Sequence, residues 1–434
     1  MTESKVAIIG LGTVGSGVAK ILLDESERVS RHAGRPLNLA KVVVRDREKN
    51  RDCQLPDGVM TTELAEIIED PEIKVVAQLM GGLEPARTIM LKLLQSGKDI
   101  VTANKALLAE HGAELFECAR SLGRSIAFEA SVAGGVPIIT NISQCLSANQ
   151  ILSLRGILNG TSNFIVSQME EHGANYAAAV EEAQRLGFAE ADPTMDVDGT
   201  DAAQKLAILA HLAFGAAVKW PDIPCTGIDL LNPIDLGWAR DLGYRVKLLA
   251  VAQLRDGALE LHVSPTLVKV GTPLAEVRGA NNAISVVGDM VGRVFYHGLG
   301  AGQLPTASAV VADMIDMAVG RTPITFRTLE LWSQSKPRVL LSDHAAVNGR
   351  FYLRFTVEDH PGVLADVAGV LGKNEISIAS VIQREIDSET EGSDDVSLVI
   401  MTHSAREGKA AAAVKEIDNL PSVRAGSVRM RVLD

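Results

Sequence analysis

Val6-Ala7-Ile8-Ile9-Gly10-Leu11-Gly12-Thr13-Val14-Gly15 decides the fold. The apolar run Val6–Ile9 reads as a buried strand, and the glycines that end it open a helix over Val14–Leu23. In Gly10-x-Gly12-x-x-Gly15 the glycines permit a tight turn, close approach of a pyrophosphate and close helix–strand contact. The first N–H groups of the helix add positive potential. Gly10, Leu11, Gly12, Thr13, Val14 and Gly15 are therefore the candidate dinucleotide-binding residues. A bare glycine pattern also fits an ordinary turn; its place after a strand in an alternating region favours the nucleotide.

Working outward, Leu39–Val44, Val75–Met80, Asp99–Thr102 and Ser125–Phe128 read as further strands. Helical patterns over Arg87–Leu94 and Leu107–Ser121 lie between them. Strand–helix alternation means parallel strands joined by crossover helices, an α/β doubly wound Rossmann-type domain, assigned to 1–134. The second strand runs into Arg45-Asp46-Arg47, roughly thirty residues past Gly15 where about 20 is usual. Arg45, with Arg47 and Lys49, leans toward the 2′-phosphate of NADP, while Asp46 keeps NAD open.

The character then changes to α+β over 135–320, a substrate-binding and dimerisation domain whose last helix, 307–319, packs back on the first domain. Strand 151–158, helices 162–171, 176–186 and 202–215, and a hairpin turning at Asp256-Gly257 make it up. Residues 321–349, with Pro323, Pro337 and Gly349, suit a linker. From Phe351 the order is βαββαβ, ferredoxin-like, with an acidic loop at 387–395 and Val363, Leu364, Val367 and Leu371 on one helix face.

Composition sets limits on function. The 434 residues exceed one ordinary core, and 47% hydrophobic with 22% charged residues describes a folded chain. A net charge of -12 without a basic run argues against nucleic acid. The stretch between Lys205 and Lys219 contains His211 and falls short of the roughly 20 apolar residues of a membrane span. Cys53, Cys118, Cys145 and Cys225 lie far apart, which suits reduced thiols in the cytoplasm better than disulfides or a metal site. His211 reads as packing and His297, beside the GLGAG segment, as structural with ligand contact the alternative; no His/Asp/Glu set has metalloenzyme spacing.

The densest chemistry is Glu190-Ala191-Asp192-Pro193-Thr194-Met195-Asp196-Val197-Asp198-Gly199-Thr200-Asp201-Ala202-Ala203-Gln204-Lys205. A calcium loop is excluded, because Thr194 and Lys205 would stand where acids are needed; a solvated acidic loop is the alternative to a site. Asp201 and Lys205 are i and i+4 on an otherwise apolar helix, so they share a face. A partly buried ammonium beside a carboxylate can give or take a proton, though a structural ion pair has the same spacing. Lys105 lies just past a strand end, where open α/β sheets place ligands.

The chain resembles the homoserine dehydrogenase family over nearly its whole length. GLGTVG at 10–15, GGLEPA at 81–86, TANKALLA at 102–109, EASVAGGVPII at 129–139 and NGTSNFI at 159–165 carry the likeness. GFAEADPTMDVDGTDAAQKLAIL at 187–209 and GLGAGQLPTASAVVADM at 298–314 extend it. Gln78 departs from the pattern where an acid is expected. The resemblance implies reversible NAD(P)-dependent interconversion of L-aspartate 4-semialdehyde and L-homoserine, in threonine, methionine and isoleucine biosynthesis. It implies Lys205 as proton donor with Lys105 in support, and Glu190, Asp201 and Asp196 holding substrate. Gly160 and Thr161 would contact substrate and nicotinamide, and Gly187, Gly302 and Lys105 would contact cofactor. It further implies a monovalent cation, sodium, at Glu129, Val132, Gly134 and Val136. Another NAD(P)-dependent amino-acid dehydrogenase, or a silent amino-acid sensor, are the rival readings.

Residues 350–434 resemble an ACT domain through Val357-Glu358-Asp359-His360-Pro361-Gly362-Val363-Leu364 and Ile376-Ser377-Ile378. That resemblance implies feedback by threonine at the helix start after Gly362, or a role in oligomerisation alone. A homo-oligomer, dimer or tetramer, is expected, with no nucleic-acid or membrane partner.

Overall fold

Six parallel strands lie in the order Met60–Thr61, Leu37–Val43, Ser4–Ile9, Ile73–Gln78, Asp99–Thr102, Ile126–Ala127. This is the doubly wound order, and the chain reverses direction of travel across the sheet between Ser4–Ile9 and Ile73–Gln78. The glycine turn sits at the carboxyl end of Ser4–Ile9, at that switch point. The computed structural model describes residues 3–329, 331–332, 338–383 and 395–433. Its contacts divide them into two units: Met1–Gly160, Asp201–Ile223 and Ala280–Leu340 in one, Thr161–Thr200, Pro224–Gly279 and Leu341–Asp434 in the other.

Within the first unit, Val6, Ile8, Val42, Val75, Ala77 and Val101 of the sheet share a core with Val18 and Leu22 of the helix Thr13–Asp24. Ala307, Val310 and Met314 of the helix Gln303–Val319 complete it. A methyl group on Gly17 would lie 2.9 Å from Ala307 Cβ, so these two helices meet at a separation that glycine permits. Antiparallel strands Ile151–Ile157, Asn281–Gly288 and Gly292–Leu299 and the helix Thr200–Phe214 also belong here. The hairpin Asn281–Leu299 was not anticipated from the sequence, nor was the helix Ser26–Ala33.

The start of the expected linker is corrected. Arg321–Leu329 is a helix, and Phe326 stacks on Phe116 with ring centroids 5.3 Å apart. Trp332 adds contacts to Phe116 at 4.5 Å and His211 at 4.9 Å. Aromatic burial holds this segment although its sequence lacks clear helical periodicity. Pro337 lies outside the described residues.

The second unit contains the hairpin Tyr244–Arg255 and Ala258–Lys269. Asp256 and Gly257 both take positive φ, 50° and 80°, as a two-residue turn requires. The final strands lie in the order Val423–Leu433, Asn348–Glu358, Asp395–Thr402, Ile378–Gln383, with helices Val363–Lys373 and Glu407–Ile417. This is the ferredoxin-like arrangement; most of the acidic loop 387–395 lies outside the described residues. Val363, Val367 and Leu371 are buried, but Leu364 is exposed, because the sheet takes a narrower stripe than the apolar pattern offers. Val423–Leu433 pairs in parallel with Ala258–Lys269, joining the domain to the hairpin. Among the described residues no helix is long and apolar enough to cross a membrane.

Asp235 is fully buried at the first turn of the helix Pro233–Asp241. Arg354 meets it bidentately at 2.6 and 3.0 Å, and the Tyr352 hydroxyl donates at 2.9 Å. Burial of the ring and the adjacent Asp235 carboxylate push the Tyr352 hydroxyl pKa upward, so it stays a donor. Replacing Arg354 by Leu strands a buried carboxylate and is expected to cost about 3–5 kcal/mol in urea unfolding. The double replacement of Asp235 and Arg354 by Leu should recover much of that loss. Equal stability of the single variant and the parent would contradict this account.

Candidate active site

Each glycine of the turn at 10–15 does one task. Gly10 has φ +96°, and a Cβ there would press on the Leu79 carbonyl at 3.0 Å. A Cβ on Gly15 would fall 2.1 Å from the Gly10 oxygen, whereas Gly12 faces open space. Gly12 caps the helix Thr13–Asp24 without a side-chain acceptor, and no acid stands in the first turn. The unpaired N–H groups and the opening at Gly12 fit a dinucleotide pyrophosphate. Arg45 is exposed two residues past the strand Leu37–Val43. Asp46, also exposed, accepts the Glu48 N–H at 2.8 Å through its carboxylate.

The next strand end carries the candidate proton-handling residues. Asn104 caps the helix Lys105–Ser121 by accepting the Leu107 N–H at 3.1 Å. Its amide also donates to the carbonyls of Met80 at 3.0 Å and Gly82 at 2.7 Å. The loop that abuts Gly10 therefore fixes the residue preceding Lys105. Gln78 is buried, accepting from Thr102 at 2.9 Å and donating to Met80 at 3.1 Å, so an amide replaces the expected acid without an open valence.

Lys105 and Lys205 converge on one carboxylate. Lys105 Nζ is 3.1 Å from Asp201 Oδ1, and Lys205 Nζ is 2.7 Å from Oδ2. Asn159 donates to Oδ2 at 2.8 Å, and Lys205 also donates to the Leu158 carbonyl at 2.8 Å. The Asp201 side chain is 5% exposed, Lys205 12% and Lys105 36%. Burial opposes ionisation of Asp201, but the two ammonium groups and Asn159 overcome it and lower its pKa to about 2. Its place in the first turn of the helix Thr200–Phe214 adds the favourable end of the helix dipole. Both lysines thus present ammonium N–H donors beside a single buried carboxylate.

Of the other expected residues in the first unit, Gly160 begins the helix Gly160–His172 and Gly302, with φ +114°, precedes Gln303–Val319. Both Glu129 oxygens accept backbone N–H groups, from Ile139 at 2.9 Å and Thr140 at 2.7 Å. Burial raises its pKa, and burial with the nearby Glu129 raises that of Asp313 strongly. Val132, Gly134 and Val136 form the buried or nearly buried turn that follows, with Ala133 at φ 53°. Val136 O already accepts the Ile138 N–H at 2.8 Å.

In the second unit Thr161 Oγ1 donates to the Phe188 carbonyl at 2.6 Å, beside Gly187 at φ +76°. Glu190 is exposed, and its carbonyl accepts from Gln184. Asp196 lies half-buried on the short helix Thr194–Val197, while Asp192 and Asp198 are turned to Thr194 and Thr200. Sequence reasoning missed Asn104 and Asn159, although both stand inside the quoted motifs. It also missed Lys247, buried and bonded to Asn163 at 3.2 Å, whose pKa burial lowers to about 8. His211 is packed, with its pKa lowered by burial to about 4, and His297 is exposed beside Phe295. The four cysteines are free.

Comparison with known proteins decides the family. The family model "Homoserine dehydrogenase, NAD binding domain" matches residues 10–129, and "Homoserine dehydrogenase" matches 137–315. A homoserine dehydrogenase of Pseudomonas aeruginosa is 42% identical over 100% of this chain and 99% of its own. The chain belongs to the homoserine dehydrogenase family. As a member it is an NAD(P)-dependent oxidoreductase, and the ACT domain model matches residues 351–422. The crystal structure of a homoserine dehydrogenase from Thiobacillus denitrificans superposes with a TM-score of 0.91 at 40% identity, covering 100% of this chain and 99% of its own. A hyperthermophilic archaeal homoserine dehydrogenase in complex with NADPH matches at TM-score 0.62 and 26% identity, over 74% of this chain and 98% of its own.

The depressed Asp201 pKa has a sign that can be checked. Ionised Asp201 stabilises the folded chain above about pH 4, and the contribution is lost as pH falls toward about 2. Asp201→Asn should flatten this acid limb of the stability curve by roughly 2 kcal/mol in denaturant titrations. An unaltered acid limb would mean that the carboxylate is not held by the lysines.

Proposed function

We propose that the chain reduces L-aspartate 4-semialdehyde to L-homoserine, and catalyses the reverse, with Lys205 supplying the proton. The observation that carries this reading is the sharing of buried Asp201 by Lys105 and Lys205 at the carboxyl-end edge of the nucleotide-binding sheet. A bound nicotinamide supplies hydride to the carbonyl carbon. Lys205 donates its proton to the carbonyl oxygen as negative charge develops there, and solvent returns the proton. Lys105 stabilises that charge and orients the substrate. In the first unit Asp201 meets a polar group of the substrate beside Gly160; Glu190, Asp196 and Thr161 are the substrate-binding candidates that the family pattern gives for the second unit. Asp201 thus holds the lysines as well as meeting substrate. Lys205→Ala is expected to keep cofactor affinity and lose roughly 10²–10⁴-fold in kcat. Near-parent turnover with L-homoserine and oxidised cofactor would overturn the assignment.

NADP is the proposed cofactor. Gly10–Gly15, Gly187, Gly302 and Lys105 would hold it, with exposed Arg45 meeting the 2′-phosphate while Asp46 is occupied by its own loop. A monovalent cation, sodium, would be held chiefly by the carbonyls of Val132, Gly134 and Val136. Glu129 would add a carboxylate oxygen, each of its two oxygens keeping a lone pair beyond the N–H bonds from Ile139 and Thr140. The strained Ala133 and the buried acids Glu129 and Asp313 are the local cost that such an ion offsets.

The proposed domains are 1–134 for cofactor, 135–320 for substrate and dimerisation, and 350–434 for regulation. Exposed Met290, Val291 and Leu299 along the edge hairpin suit a second copy of the chain. The four free cysteines suit the cytoplasm. Threonine is the proposed effector, its carboxylate facing the helix Val363–Lys373, whose N-cap Gly362 has φ +103° and no side-chain cap. The archaeal relative completes itself against three quarters of this chain, which supports a regulatory addition. Replacing Gly362 by Val should weaken threonine inhibition while activity without threonine persists; unchanged inhibition in that variant would refute sensing there.

A further inference from the structure

The Leu158 carbonyl receives two donors. Lys205 Nζ reaches it at 2.8 Å and the Asn282 side-chain amide at 2.9 Å. Asn282 stands on the strand Asn281–Gly288, between Ile151–Ile157 and Gly292–Leu299, and is 1% exposed. Its amide must present nitrogen to Leu158, since the opposite rotamer would oppose two oxygens. The remaining Oδ1 is buried with no hydrogen-bond partner. An orphaned buried acceptor costs about 1–3 kcal/mol, so its retention calls for a compensating role.

Two glycines of the family motifs make room for this side chain. A Cβ on Gly300 would lie 2.0–2.3 Å from the Asn282 amide, and one on Gly160 would lie 3.2 Å from Oδ1. Gly160 follows Leu158 and Asn159, the partners of Lys205 and Asp201. Asn282 is therefore wedged among the segment bearing the lysine's carbonyl partner, the start of the helix Gly160–His172 and the turn at Gly300.

We infer that Asn282 is a positioning residue for the proton-donating lysine: it fixes the Leu158 carbonyl so that Lys205 is held between that carbonyl and Asp201. The inference rests on the assignment of Lys205 as proton donor. With the carbonyl free to turn, the ammonium keeps its Asp201 partner but loses one of the two directions that aim it. Misplacement of a catalytic group by about 1 Å can reduce turnover roughly 10²-fold.

The test uses the full chain with Asn282→Ala, Gly300→Ala and the double variant, reading kcat, KM and the solvent deuterium isotope effect on kcat. Asn282→Ala is expected to lower kcat about 10–100-fold, to leave the homoserine KM within about threefold, and to raise the solvent isotope effect as proton delivery becomes limiting. Gly300→Ala displaces the amide and should give the same signature, and the double variant should be no slower than Asn282→Ala, because nothing remains to collide. A lost packing contact alone would leave the isotope effect unchanged, and that result overturns the inference. So would losses that multiply in the double variant, or kcat within about twofold of the parent. Should Asn282→Ala fail to fold, Asn282→Asp, of equal shape but without the N–H donor, decides on the same readouts. If Lys205→Ala itself turns over normally, the proton-donor assignment fails instead, which keeps the two outcomes apart.

Discussion

A carboxylate removed from water costs several kcal/mol unless its charge and lone pairs are met. Asp201 is such a group, and the first unit is arranged to satisfy it. Lys105 arrives from the end of the strand Asp99–Thr102, Lys205 from one turn along the same helix, and Asn159 from the end of Ile151–Ile157. Each contributes to meeting the charge and lone pairs of Asp201. Their shared partner gives both lysine ammonium groups a fixed anchor.

The same arrangement connects the cofactor loop to the chemistry. Gly10 lies against Leu79, Met80 is held by Asn104, and Asn104 starts the helix that carries Lys105. The glycine turn and Lys105 are thus linked through the Met80 loop and the Asn104 side chain. On the other side, the Leu158 carbonyl links Lys205 to the strand Asn281–Gly288. On the proposed role of the lysines, an alkoxide forming beside them would meet donors already held in place by Asp201.

Much of this was legible in the sequence because the signals were local. The strand before Gly10, the Asp256-Gly257 turn, the i and i+4 pair Asp201 and Lys205 and the βαββαβ order each depend on neighbours in sequence. Glu190, Gly302 and the turn after Glu129 came from resemblance, since spacing alone did not separate them from ordinary loops. The hairpin at 281–299 escaped because its glycines and charges mask alternation, and the helix Arg321–Leu329 because distant aromatic rings, not periodicity, hold it. Asn104, Asn159 and Asn282 escaped for a different reason: an amide performs no chemistry of its own, and its value appears only when its partners are located.

The most direct measurement is a crystal structure of the chain with L-homoserine and a redox-inert nicotinamide cofactor. The Lys205 ammonium should lie within about 3 Å of the substrate hydroxyl oxygen, with Asp201 still bonded to both lysines and the carbinol carbon facing the nicotinamide ring. A complex in which that hydroxyl is held by another group, with Lys205 beyond hydrogen-bond reach, would contradict the account.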